Sequence, residues 1–137
     1  MIVVDASTLA DYLVGREPAL AAVVEALGTN TEQPLHAPEL VWPETLNALR
    51  RMALRGDIGD DRATQAALDV SAVRLLCYPH APLTESVWSM RHELTAYDAT
   101  YLAVALGLDD PLLLTSDGGL AARAGAVLGS ERVTLTG

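Results

Sequence analysis

The chain has 137 residues, half of them hydrophobic and a fifth charged, with a formal net charge of −9. That composition suits one globular domain spanning 1–137, burying about 68–70% of its unfolded surface, and excludes a disordered chain. All nine basic residues are arginine, so a GxxxxGK phosphate loop and Schiff-base chemistry are both excluded.

The core must be aliphatic, because phenylalanine is absent. The single cysteine, Cys77, rules out an internal disulfide; within Leu75-Leu76-Cys77-Tyr78 it reads as a small buried hydrophobe. The opening Met1-Ile2-Val3-Val4-Asp5 lacks a signal peptide's basic and long apolar regions. No apolar run approaches the ~18 residues a membrane span needs, so a cytoplasmic protein is expected.

Short apolar runs alternate with helical patterns, which predicts an α/β domain with a mainly parallel sheet. Ile2 to Val4 reads as a buried strand ending at Asp5. Helices follow over Ser7–Val14 and Ala19–Leu27, the second with Pro18 near its start. Leu35–Pro38 is a short strand. Leu40–Arg55 is a helix with Leu46, Leu49 and Ala53 on one face and Gly56 as its stop. Asp60–Val73 is a helix that Asp60 or Asp61 can cap, and Arg74–Tyr78 is a strand closed by Pro79. Further helices are expected from Leu83 to Leu94 and from Tyr97 to Leu108. Leu112 to Thr115 is a strand leading to Asp117-Gly118-Gly119, and a short Ala-rich helix and a strand over Arg132–Leu135 complete the domain.

Four acids stand out against this frame. Asp5 and Asp117 follow apolar strands, and ligands of open α/β sheets bind beyond the carboxyl ends of the strands. Each also has a plain structural use, Asp5 as a helix cap and Asp117 as a turn residue. Asp98 opens a segment that is apolar nearly all the way round and so reads as a buried helix. The helix dipole favours an acid there by about 0.3–1 kcal/mol, but a buried acid otherwise needs a partner or a metal. Glu44 begins a stripe with Asn47, Arg51 and Arg55 at spacings of three, four and four. Such a stripe is also what a solvated helix face looks like. Brought to one edge, four carboxylates would repel unless a cation neutralised them. All-oxygen ligation suits Mg²⁺ or Mn²⁺, and no Cys pair or His cluster offers a zinc site. A metal so held acidifies water and offsets charge on a phosphate.

The phrases Val3-Val4-Asp5-Ala6-Ser7, Pro43-Glu44-Thr45-Leu46-Asn47, Tyr97-Asp98-Ala99-Thr100-Tyr101 and Leu113-Leu114-Thr115-Ser116-Asp117 resemble those of the PIN-domain nucleases. The short form is similar to the VapC toxins of bacterial toxin–antitoxin pairs. The resemblance implies a single Rossmann-like PIN domain and a Mg²⁺-dependent endoribonuclease that hydrolyses RNA by metal-activated water, with Mn²⁺ able to substitute. It makes Asp5 and Asp98 the principal metal ligands. Glu44 and Asp117 complete the set, with Glu44 placed to orient water. Ser7, Asn47 and Thr115 take supporting roles. It also implies a small cognate antitoxin and a homodimer. Only Arg50, Arg51, Arg55, Arg91 and Arg123 stand out as candidates to grip RNA, and Ser116 occupies a place where an acid would offer a further ligand.

The antitoxin is expected to lay an amphipathic helix between Ser7–Val14 and Leu40–Arg55 and to send an arginine into the acidic crevice. Three other readings compete. A metal-free ribonuclease would use His36, His80 or His92 as acid and base. A non-catalytic PIN-like module would bind RNA or protein, and a housekeeping RNA-processing nuclease would work without an antitoxin. A haloacid-dehalogenase-like phosphatase needs a second Asp where Ser7 stands, and a response-regulator receiver needs a Lys. No Gly-x-Ser-x-Gly elbow of a serine hydrolase occurs.

Overall fold

The apolar runs at Ile2–Val4, Leu35–Pro38 and Leu112–Thr115 become strands because an inner parallel strand is buried on both faces and needs continuous apolar sequence rather than alternation, whereas the runs at the two edges of the sheet stay partly exposed. In the computed structural model, which describes residues 1–137, the strands are β1 (Ile2–Val4), β2 (Leu35–Pro38), β3 (Leu75–Tyr78), β4 (Leu112–Thr115) and β5 (Val133–Leu135). They form one sheet in the order β3-β2-β1-β4-β5, with every pairing parallel. Seven helices flank it: α1 (Ala6–Leu13), α2 (Ala19–Leu27), α3 (Val41–Arg55), α4 (Asp60–Asp69), α5 (Thr84–Ser89), α6 (Ala96–Leu106) and α7 (Gly118–Leu128). The arrangement is Rossmann-like, and the strand order reverses direction between β1 and β4. No helix is long and apolar enough to cross a membrane.

The main core is aliphatic, built on Val3, Val4, Leu9, Leu102, Leu113 and Leu120 around the two central strands. A smaller cluster of Ala10, Val14, Ala48, Leu49 and Met52 joins α1 to α3, with Ala66 and Val70 closing it from α4 and the turn that follows. Small residues, Ala10 and Ala48, lie where α1 packs on α3. A further, apolar groove lies between α3 and α4, lined by Leu46, Leu49, Arg50, Ala53, Ala63 and Ala67.

Several boundaries differ from expectation for local reasons. The buried side of α3 is Val41, Thr45, Ala48, Leu49 and Met52, while Leu46 is 46% exposed. Leu49 lies on the boundary between two adjacent stripes, and packing against α1 selects the one with smaller residues. Gly59, not Asp60 or Asp61, is the residue before α4, and no side chain caps it; both acids sit in the first turn. The helix expected over 83–94 shrinks to the six residues of α5. Val87, Met90 and Leu94 have helical spacing but reach the core from successive turns, closed by Arg91 N–H to the Trp88 carbonyl and Leu94 N–H to the Met90 carbonyl. The Gly118-Gly119 pair forms the first turn of an 11-residue α7.

Leu113 is fully buried at the centre of the sheet, with Val3 and Val133 as its strand neighbours. Leu113→Ala is expected to destabilise the fold by about 2–5 kcal/mol, the range for a large-to-small change that leaves a cavity. Denaturant unfolding followed by circular dichroism measures it, and a loss below about 1 kcal/mol would contradict this packing.

Candidate active site

Asp5 leaves β1 at its carboxyl end, beside β4, and is only 6% exposed. A charge buried that far needs donors, and three are supplied. Its Oδ1 accepts the Thr8 N–H at 2.8 Å, which caps α1, and its Oδ2 accepts the Thr115 hydroxyl at 2.6 Å and the Ser116 N–H at 3.2 Å. The Thr115 hydroxyl in turn accepts the Asp117 N–H at 3.0 Å. A single buried hydroxyl therefore joins the ends of β1 and β4. Beneath them the Thr8 and Thr136 hydroxyls share a hydrogen bond of 2.7 Å, tying the last residues of the chain to the first helix.

The other acids also sit at helix starts. Asp117 caps α7 through Oδ1, which accepts the Leu120 N–H at 2.7 Å, while Glu44 lies in the first turn of α3. Asp98 lies in the first turn of α6, where its N–H donates to the Thr95 hydroxyl at 3.2 Å. Thus Thr95 caps that helix and the Asp98 carboxylate is not used as the cap. Burial, followed by the charges of Asp117, Glu44 and Asp5, pushes the Asp98 carboxyl above its ordinary pKa; Thr95 pulls it the other way. Tyr101, one turn further along α6, donates its hydroxyl to Glu44 Oε1 at 2.6 Å. Burial, then Glu44, Asp5 and Asp98, push the Tyr101 hydroxyl far above its usual range, so it stays protonated.

These groups line one polar crevice of about 170 Å³: Asp5, Ser7, Glu44, Asn47, Arg51, Asp98, Tyr101, Ser116 and Asp117, with Ala6 beside them. Thr115 lies just beneath, holding Asp5. Arg51 is the one arginine in the lining. Arg50 lines the α3–α4 groove, and Arg55 is exposed at the end of α3. Arg91 lies over the Trp88 ring, 4.8 Å from its centroid, and Arg123 carries a buried Nε without a hydrogen-bond partner. None of the three histidines lines the crevice. His36 is bonded to the Tyr78 hydroxyl at 2.7 Å, His80 accepts the Leu40 N–H at 2.9 Å, and His92 is exposed.

No three acidic, His or Cys groups are already gathered tightly enough to hold an ion. The donor set itself fits a hard divalent cation. All four acidic side chains offer oxygen, and Asp5 Oδ1, Asp117 Oδ2 and Glu44 Oε2 retain free lone pairs. Tyr101, Thr95 and Thr8 are the site residues that sequence reasoning left without a role. The spacing of Tyr101 three residues after Asp98 was the available signal, since it puts both on one helix face.

The burial of Asp98 among neighbouring carboxylates has a consequence for stability. A carboxyl whose folded pKa is raised binds its proton more tightly folded than unfolded, so stability falls as pH rises through that window. Asp98→Asn is therefore expected to raise the melting temperature in chelator at pH 7, with the gain shrinking as pH falls. Thermal scans of the two proteins in EDTA across that range measure this, and a variant less stable than the native chain at pH 7 would contradict it.

A family profile for the PIN domain matches residues 2–126 of the chain. Ribonuclease VapC1 of Mycobacterium tuberculosis is 42% identical over 127 residues, covering 90% of both chains. Ribonuclease VapC9 of the same organism is 36% identical over 116 residues, covering 82% of this chain and 84% of its own. Ribonuclease VapC12, also from that organism, is 33% identical over 121 residues, covering 88% and 90%. With the parallel sheet and the acidic crevice at its switch point, these matches establish that the chain belongs to the PIN-domain family, in its VapC-type branch.

Proposed function

We propose that this chain is a Mg²⁺-dependent endoribonuclease, the toxin of a type II toxin–antitoxin pair, and that residues 1–137 act as one PIN domain in the cytoplasm. The observation that carries the reading is the convergence of Asp5, Glu44, Asp98 and Asp117 on one crevice at the carboxyl edge of the sheet. The ribonuclease names of VapC1, VapC9 and VapC12 support RNA as the substrate.

In this reading Asp5 and Asp98 are the principal ligands, Asp117 and Glu44 complete the acidic set, and Mn²⁺ substitutes for Mg²⁺. Held by these residues, such an ion would supply charge neutralisation at the phosphate and a lowered pKa for the attacking water. Asp5 is held rigid by its three donors, so its free lone pair has one direction. Glu44 accepts the proton of the water and orients it. Asn47 and Ser7 hydrogen-bond the sugar–phosphate backbone, and Arg51 offsets phosphate charge from the rim. The water oxygen bonds to phosphorus and the bond to the 3′ oxygen breaks, that oxygen taking a proton from solvent, which leaves a 5′-phosphate and a 3′-hydroxyl.

Asp5→Asn or Asp98→Asn is expected to cut RNA cleavage by more than about 100-fold, beyond the usual cost of a supporting residue. Circular dichroism should remain native, and EDTA should abolish wild-type cleavage until Mg²⁺ or Mn²⁺ is restored. Wild-type turnover by either folded variant would sink the assignment, and 2′,3′-cyclic phosphate ends would favour attack by the RNA's own 2′-hydroxyl.

A ribonuclease loose in the cytoplasm injures its own cell, which is why the reading includes a small antitoxin. The acidic crevice invites an arginine fork, and the α3–α4 groove offers an apolar bed for a partner helix. A homodimer would use helices away from the crevice. Expression alone is expected to arrest growth, and co-expression with the neighbouring small reading frame should restore growth and yield a co-purifying complex. Harmless expression of an active chain, with no partner recovered from the native host, would point to a housekeeping nuclease.

A further inference from the structure

Tyr101 is only 2% exposed, yet its hydroxyl reaches the acidic crevice. It follows Asp98 by three residues on α6, so the two share a face of the helix. Its ring belongs to the main core, which fixes where the hydroxyl points. Across the crevice, on α3, the partner is Glu44 Oε1 at 2.6 Å, the length of a hydroxyl bonded to a carboxylate. No other protein group hydrogen-bonds the Glu44 carboxylate, and Glu44 takes part in no ion pair. A glutamate side chain has several rotatable bonds and loses appreciable freedom when fixed, so a single rigid donor decides its orientation.

We propose that Tyr101 is a positioning residue: its core-anchored hydroxyl locks Glu44 across the crevice and leaves Oε2 as the oxygen offered to metal and water. This rests on the ribonuclease reading above. Asp5 and Asp117 are oriented by backbone amides at the starts of their own helices. Glu44 has no such local donor, and the hydroxyl from α6 takes that part. Phenylalanine would fill the same space without the donor, so the hydroxyl and not the ring carries the role.

The test uses the full chain with Tyr101→Phe. In Mg²⁺, kcat for RNA is expected to fall about 10- to 100-fold with KM unchanged, the range for losing support behind a metal-site residue. Mn²⁺ affinity by calorimetry should fall about tenfold as well. On a Glu44→Ala background the same substitution should cost no further affinity, because its only partner is gone. Proton NMR of the metal-free chain gives a readout independent of turnover: a downfield, slowly exchanging Tyr101 hydroxyl that is lost in Glu44→Ala.

Wild-type kcat and Mn²⁺ affinity in a folded Tyr101→Phe chain would overturn the proposal. An equal affinity loss on both backgrounds would do so too, since the hydroxyl would then act elsewhere. Asp5→Asn, assayed in parallel, separates the two levels. Cleavage that survives Asp5→Asn sinks the ribonuclease reading itself, whereas a dead Asp5→Asn beside a fully active Tyr101→Phe sinks only the role of Tyr101.

Discussion

The acidic crevice depends on the parallel pairing of β1 with β4, Ile2 beside Leu112, Val3 beside Leu113 and Val4 beside Leu114. These strands are more than a hundred residues apart in sequence, yet their carboxyl ends come out side by side. The Asp5 N–H continues the ladder to the Leu114 carbonyl at 3.1 Å, and the Thr115 hydroxyl then bridges Asp5 to the Asp117 backbone. Because a parallel pair has only one edge where both strands end, an acid following each strand meets the other without further instruction. The remaining site groups are delivered to that edge by helices α3 and α6.

Placing four carboxylates together is costly, and the fold lowers the cost by putting all of them at helix starts. The positive end of each helix dipole and its free amides favour negative charge there. For Asp5 and Asp117 the amides bind the carboxylate directly. For Asp98 they do not, and burial, then the charges of Asp117, Glu44 and Asp5, hold its carboxyl above the ordinary pKa.

The nine arginines are spread unevenly over a chain of net charge −9. Arg16, Arg74 and Arg132 are engaged with Asp11, Glu32 and Asp110 on the surface. Arg62 bonds the Val14 carbonyl, and Arg123 is partly buried in α7. Free cationic surface is thus concentrated on α3, in Arg50, Arg51 and Arg55, with Arg91 stacked on Trp88. Local placement of charge, more than its total, governs how phosphate approaches such a surface.

Much of this was legible in the sequence because parallel strands are short apolar runs, and each such run marked a strand to within a residue. The positions of Asp5 and Asp117 after those runs, and of Asp98 at the start of an apolar helix, already predicted a shared edge. Helix α5 was misjudged because helical spacing of Val87, Met90 and Leu94 describes where side chains must point, not whether one helix carries them there. The face of α3 was misjudged because Leu46 and Thr45 sit on neighbouring stripes, and only contact with α1 decides between them. By itself, then, the sequence determined the strands, the fold class and the acids at the strand ends, since these follow from local patterns of burial and charge. The apolar groove between α3 and α4, the presence of Arg51 alone among the arginines in the crevice and the pairing of Tyr101 with Glu44 were decided by tertiary structure alone. Each depends on the distance between groups on different helices, which no local pattern encodes.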